Sequence, residues 1–181
     1  MPTSQILRGK LVLAVNEEKD VLEIIDEEFS FEAADATVHA ATTFESARQY
    51  MVSYTYDLAL LDIWGIRGFD LLEIAHNANI PVVILTTHVS SIEDLRKSIE
   101  LGARACLPLE KLGSLIPFLE DVLKLEHQSA WERVIDQVEN LFTKRFGSDW
   151  RKRQIEFWPG FETRLTMGQA GTITEAAVNQ G

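Results

Sequence analysis

The sequence predicts a doubly wound α/β fold: a five-stranded parallel sheet wrapped by helices, followed by a C-terminal helical extension. Three observations predict it. The runs LVLAV (Leu11–Val15), LALLD (Leu58–Asp62) and VVILT (Val82–Thr86) are almost continuously apolar, as strands buried on both faces must be. Helical patterns separate these runs and two weaker ones, giving five β-α units within residues 10–124. Each of the three strong runs also ends in or is followed by polar residues, where an open parallel sheet places its functional groups.

Taken in order, the first strand, Leu11–Val15, leads into a helix over Lys19–Phe29, where Val21, Leu22, Ile25 and Phe29 form one apolar stripe. A second strand is expected over Ala36–Ala40. Thr42-Thr43-Phe44-Glu45 then reads as a capping box, a hydroxyl residue followed three positions later by Glu. The third strand, Leu58–Asp62, precedes the loop WGIRG and a helix burying Leu71, Leu72 and Ala75. After Val82–Thr86, Ser90-Ser91-Ile92-Glu93 is a second capping box, and Gly102 is a helix stop signal. Ala105–Leu107 is the fifth strand. Ser114 caps the last helix, with Pro117 tolerated in its first turn.

Composition narrows the class. The chain has 181 residues, 46% hydrophobic and 25% charged, with one cysteine and a net charge of −11. One cysteine excludes an internal disulfide and a multi-cysteine zinc site, and suits a reducing compartment. No apolar run approaches the ~20 residues that span a bilayer, and no signal peptide is evident, so the expected location is cytoplasmic with no membrane partner. Residues 1–126 carry 21 acidic against 10 basic side chains, whereas residues 127–158 carry 5 against 6. This shift places a boundary near residue 126. Nucleic acid is not an expected partner, because the acidic surface would repel a phosphate backbone.

The strand ends gather Asn16, Glu17 and Glu18 after the first strand, Asp62 on the third, and Thr86, Thr87 and His88 from the fourth. If the fold is right, they converge in one crevice. Carboxylates beside a hydroxyl, without a His or Cys cluster, favour a hard oxygen-seeking cation such as Mg2+. Plainer readings exist: Thr86 as a loop starter, and Glu17 and Glu18 as first-turn charges favoured by the helix dipole. Asp62 resists such a reading, since it closes a strand buried on both sides.

These pieces together resemble the receiver domain of two-component response regulators over Lys10 to Lys124. KLVLAVNEEKDVLEII resembles the family's first strand, acidic pair and first helix, and YDLALLDIWGIRGFDLL its phosphoacceptor strand and following loop. PVVILTTH resembles the strand ending in the switch Thr/Ser, and IELGARACLPLEKL the last strand and its loop. The resemblance implies a flavodoxin-like sheet of order 2-1-3-4-5. It implies that Asp62 accepts a phosphoryl group from a histidine kinase or phosphotransfer protein. Mg2+ would be held by Glu17, Asp62 and the backbone carbonyl of Trp64, and Thr86 would bond the acyl phosphate. Signalling would then pass through a surface around the fourth and fifth helices, by protein contact rather than by turnover as an enzyme.

The chain departs from the family pattern at four positions. The acidic pair is Asn16-Glu17, the lysine after the last strand is Leu109, the following proline is Glu110, and the aromatic switch position is Cys106. Lys111, two residues beyond Leu109, would point the same way in an extended segment and could substitute, though a solvated surface lysine is the plainer reading. An alternative follows from these departures: a phosphorylation-independent receiver that serves as an interaction or dimerisation scaffold. Enzymes on similar sheets fit less well. A haloacid-dehalogenase-type phosphatase needs a second Asp where Trp64 stands, and a flavodoxin needs a phosphate loop where NEEKD is acidic.

Beyond the boundary, Ser129-Ala130-Trp131-Glu132 opens another capping box. Trp131, Ile135, Val138, Phe142 and Phe146 fall near one face, and Gly147 stops the helix. Residues 127–158 are expected to be amphipathic and helical, either folding back on the domain or pairing in a homodimer, since aromatics are enriched at interface centres. Residues 159–181 lack periodicity and are expected to be disordered. The four histidines show no metal-ligand spacing.

Overall fold

The computed structural model describes residues 3–86 and 92–125, together with 139, 143, 144 and 147–149. Five strands form one sheet: β1 (Leu11–Val15), β2 (Thr37–Ala41), β3 (Leu58–Asp62), β4 (Val82–Thr86) and β5 (Ala105–Pro108). Every pairing is parallel and the order is β2-β1-β3-β4-β5. Helices α1 (Lys19–Glu32), α2 (Phe44–Ser53), α3 (Gly68–Asn77) and α4 (Ile92–Glu100) carry the crossovers. A 3-10 helix (Leu109–Ser114) and α5 (Leu115–Lys124) follow β5.

The apolar runs lie where their composition demands. All five residues of β3 and of β4 are buried, because helices cover both faces of these inner strands. Val21, Leu22, Ile25 and Phe29 of α1 and Leu71, Leu72 and Ala75 of α3 are buried as their spacing predicts. Edge strand β2 is only partly covered, with a single buried residue, Ala41.

Four boundaries differ from the sequence reading: β5 runs one residue further, to Pro108, and three others shift as follows. β2 begins at Thr37 rather than Ala36, because the Ala36 N–H turns back to the Ala33 carbonyl while Thr37 N–H joins Lys10 O. Helix α1 runs to Glu32, three residues past Phe29. The α2 capping box uses Thr43 and Ser46 in place of Thr42 and Glu45: the Ser46 N–H donates to Thr43 Oγ1, and Thr43 N–H to Ser46 Oγ. Ser114 does stand at the α5 N-cap, but its side chain makes no capping bond.

Helix α4 stops as expected at Gly102, whose φ of 90° suits glycine alone, and its amide bonds Ile99 O. Gly147 likewise has φ 82° and its N–H bonds Thr143 O. The box at Ser90-Ser91 lies outside the described residues, as do Thr87, His88, most of the 127–158 extension and the 159–181 tail. Among the described residues, no helix is long and apolar enough to cross a membrane.

An acidic pocket at the strand ends

The sheet order makes β1 and β3 neighbours whose connections leave in opposite directions, the crevice-forming arrangement of open α/β sheets. Register then sets the pocket. Val15 lies beside Leu61, Asp62 beside Leu85, and Thr86 beside Pro108. Asn16, Asp62 and Thr86 therefore stand at the carboxyl ends of three adjacent strands. They are also three of the few buried polar residues, at 1%, 8% and 4% exposure.

Each side chain is held by a local contact. Asn16 continues the ladder through its N–H to Ala41 O, and its Oδ1 accepts the Glu18 N–H at 2.8 Å. That turn fixes Glu18 as the N-cap of α1. It also turns the amide nitrogen of Asn16 into a buried donor with no hydrogen-bond partner among the described residues. Asn16 thus braces the helix start and spends its oxygen there. Glu17 projects over the β3–α3 loop, with its carboxylate against Gly65, where a Cβ would lie 2.6 Å from Glu17 Cδ and Oε1. Gly65 supplies the room that the longer acid at this position needs.

Asp62 Oδ1 accepts the Trp64 N–H at 2.9 Å. Burial pushes the Asp62 carboxyl above its ordinary range. The Trp64 bond pulls it down, and the charges of Glu17 and Glu18 push it further up. The three acids therefore share one field. Thr86 Oγ1 accepts the Trp64 indole N–H at 3.1 Å, so the loop after Asp62 reaches across to the end of β4. Trp64 is 39% exposed, and its ring meets Phe69 edge-on at 6.3 Å. A cavity of about 20 Å³ lies behind Thr86, bounded by Trp64, Ile84 and Cys106 and by Leu95 and Ser98 of α4.

The loop owes its shape to two glycines and one left-handed residue. Gly68 starts α3 directly against the backbone of Asp62 and Ile63, closer than any side chain would allow. Arg67, with φ 50°, turns the chain into the helix, and its guanidinium lies 4.2 Å above the Phe44 ring.

The donors fit Mg2+ in a spare form. Among the described residues, no three His, Cys, Asp or Glu side chains are grouped closely enough to cage a metal. Mg2+ does not need such a cage, because it retains several waters and binds through one or two carboxylates. Mutually repelling acids around Asp62 are the arrangement that a dication relieves.

Lys111 takes the plainer of its two readings, a surface lysine. Lys111 does not stand in for a lysine at Leu109, because Leu109–Ser114 is a 3-10 helix and Lys111 is exposed on it. With three residues per turn, positions 109 and 111 do not face the same way. Of the histidines, His39 is enclosed by the rings of Tyr50, Tyr54 and Tyr56 and shares a 2.8 Å hydrogen bond with the Tyr56 hydroxyl. Sequence reading marked the loop WGIRG but not the close contacts of Gly65 and Gly68 or the bond of the Trp64 indole. The available signal was the pair of glycines flanking Ile66-Arg67 just after a buried aspartate.

Fold and pocket together define a flavodoxin-like α/β domain with acidic and hydroxyl groups collected at its topological switch point. The chain belongs to the response regulator receiver domain family, whose sequence profile matches residues 12–110, and so to the receivers of two-component signalling. Solved receivers share the fold. A Francisella response regulator receiver domain is 23% identical, aligns over 64% of this chain and 97% of its own, and gives a TM-score of 0.55. A CheY-like receiver from Methanospirillum hungatei is 24% identical over 64% and 96%, with a TM-score of 0.54. The receiver domain of the histidine kinase CKI1 from Arabidopsis thaliana, solved with Mg2+, is 17% identical over 67% and 97%, with a TM-score of 0.55. No curated protein matches the chain.

Proposed function

We propose that the chain receives a phosphoryl group on Asp62, with Mg2+ as cofactor and a histidine kinase or phosphotransfer protein as donor. The observation that carries this reading is the buried Asp62 in the field of Glu17 and Glu18, linked by Trp64 to Thr86. An Asp62 carboxylate oxygen attacks the phosphorus of a phosphohistidine. The P–N bond breaks, the imidazole leaves with the electron pair, and an acyl phosphate forms. Glu17, Asp62 and the Trp64 carbonyl would hold Mg2+, which supplies charge neutralisation for the phosphoryl oxygens. The Trp64 N–H fixes one oxygen of Asp62, which orients the other for attack. The Thr86 hydroxyl would bond the phosphoryl group from the β4 side. The domain accepts one group without turnover, so it is a signalling module rather than an enzyme. It works in the cytoplasm, with output through protein contacts, including a homodimer.

Incubation with Mg2+ and acetyl phosphate should add the mass of one phosphoryl group, and Asp62→Asn should abolish the gain. Absence of any gain in the native protein sinks this reading. A second reading is a receiver that signals without phosphate. It draws on Leu109 in the lysine position and on Lys111 being exposed on a 3-10 helix. No gain, together with unchanged partner binding by Asp62→Asn, would favour it.

A further inference from the structure

The pocket has a connection to α4 that does not pass through β5. Family receivers place a switch aromatic on β5, but Cys106 stands there, buried and small, beside the cavity behind Thr86. An aromatic instead reaches Thr86 from the opposite side: the Trp64 indole N–H donates to Thr86 Oγ1 at 3.1 Å. Trp64 in turn meets Phe69 at 6.3 Å and 84°, and the Phe69 ring carries the Lys97 ammonium 4.2 Å above its centre. Lys97 belongs to α4. Thr86, Trp64, Phe69 and Lys97 thus form one run of contacts from the strand end to a helix face.

We propose that Trp64 is the positioning residue that couples Thr86 to α4, taking over from the β3–α3 loop the part for which β5 has no aromatic. The proposal rests on Asp62 being the phosphoacceptor. The Thr86 oxygen is tied to the Trp64 indole N–H at 3.1 Å, so the two groups move together or part. Drawing that hydroxyl toward a phosphoryl group at Asp62 either pulls the indole along or breaks its bond. In both cases the Trp64 ring shifts against Phe69. The edge-on and cation–π geometries both depend on ring orientation, so the shift reaches Lys97. The cavity of about 20 Å³ between Thr86, the indole and α4 has the room of a single water.

Amide and indole NMR spectra of the full chain, with Mg2+ and then with beryllofluoride as the phosphoryl mimic, test this. Trp64→Phe identifies the Trp64 indole signal by its loss. In the native protein, the Asp62 and Gly65 amides, the Trp64 indole and the Leu95–Lys97 amides should all shift on adding beryllofluoride. In Phe69→Leu, which leaves the pocket groups in place, Asp62 and Gly65 should still respond while the α4 shifts are lost. An indole signal that stays fixed while α4 moves would overturn the relay, as would a full α4 response in Phe69→Leu. A native protein silent at Asp62 and Gly65 would overturn the phosphoacceptor reading itself, and the relay with it.

Discussion

Replacing Gly65 by alanine tests whether Glu17 belongs to the pocket. Gly65 has no positive φ, so alanine meets no backbone objection there. Its Cβ would lie 2.6 Å from Glu17 Cδ and Oε1, whereas ordinary contact begins at 3.4 Å. The carboxylate must therefore retreat by about 0.8 Å. Glu17 is an exposed, flexible side chain, so it can turn away at a cost within about 0.5–1.5 kcal/mol. Metal binding should suffer more. For a dication about 4 Å from the carboxylate charge centre, at an effective dielectric of about 20, this retreat costs roughly 1.4 kcal/mol. Solvent screening of an exposed group lowers that figure, so the expected loss of Mg2+ affinity is between about threefold and tenfold. Titration calorimetry with Mg2+ on native protein, Gly65→Ala and Glu17→Gln supplies the measurement, with thermal melts in chelator as the folding control. The reasoning fails if Gly65→Ala melts like the native protein and binds Mg2+ equally well. It fails also if Glu17→Gln is silent.

Three further outcomes follow. The raised Asp62 carboxyl stabilises the fold below its ordinary value of 3.8, and that stability is lost as pH rises through the folded-state value. In metal-free buffer, Asp62→Asn should therefore gain on the native protein in denaturant melts from pH 4 toward 7; a pH-independent gap refutes the sign. Asn16→Asp puts a second carboxylate in a position only 1% exposed, so it should cost about 1–3 kcal/mol without metal. It should also bind Mg2+ more tightly, and added Mg2+ should recover part of the lost melting temperature; no recovery places residue 16 outside the metal's reach. Gly68→Ala sets a Cβ against the backbone of Asp62 and Ile63, which cannot move aside as a side chain can. It should destabilise the domain by about 1–3 kcal/mol, and a native-like urea midpoint would refute the packing argument.

Much of the architecture was legible because burial writes itself into composition. LVLAV, LALLD and VVILT read as inner strands since both of their faces must be apolar, and their observed bounds match the sequence reading. The edge strand was displaced by one residue because alternation in TVHAA is weak: it buries only Ala41, so local turn bonds at Ala33–Ala36 decide where pairing starts. The polar strand ends were legible for the same reason as the inner strands, since each interrupts an apolar run. What pattern reading could not supply was proximity between chain-distant atoms. Gly65 beneath Glu17 and the Trp64 indole on Thr86 depend on how a loop closes over three strand ends, and periodicity carries no information about that. Lys111 is a surface lysine, because the chain coils into a 3-10 turn where a substitute for Leu109 would need an extended segment.

Cys106 is the only thiol in the chain, and burial drives its pKa up to about 12. A thiolate is the species that reacts, so in the folded protein this sulfur is almost inert to alkylation near neutral pH. Labelling rates therefore become a clock for how often β5 peels from the sheet, without any engineered probe. A modifying reagent that reacts at once would report a domain already open at that edge.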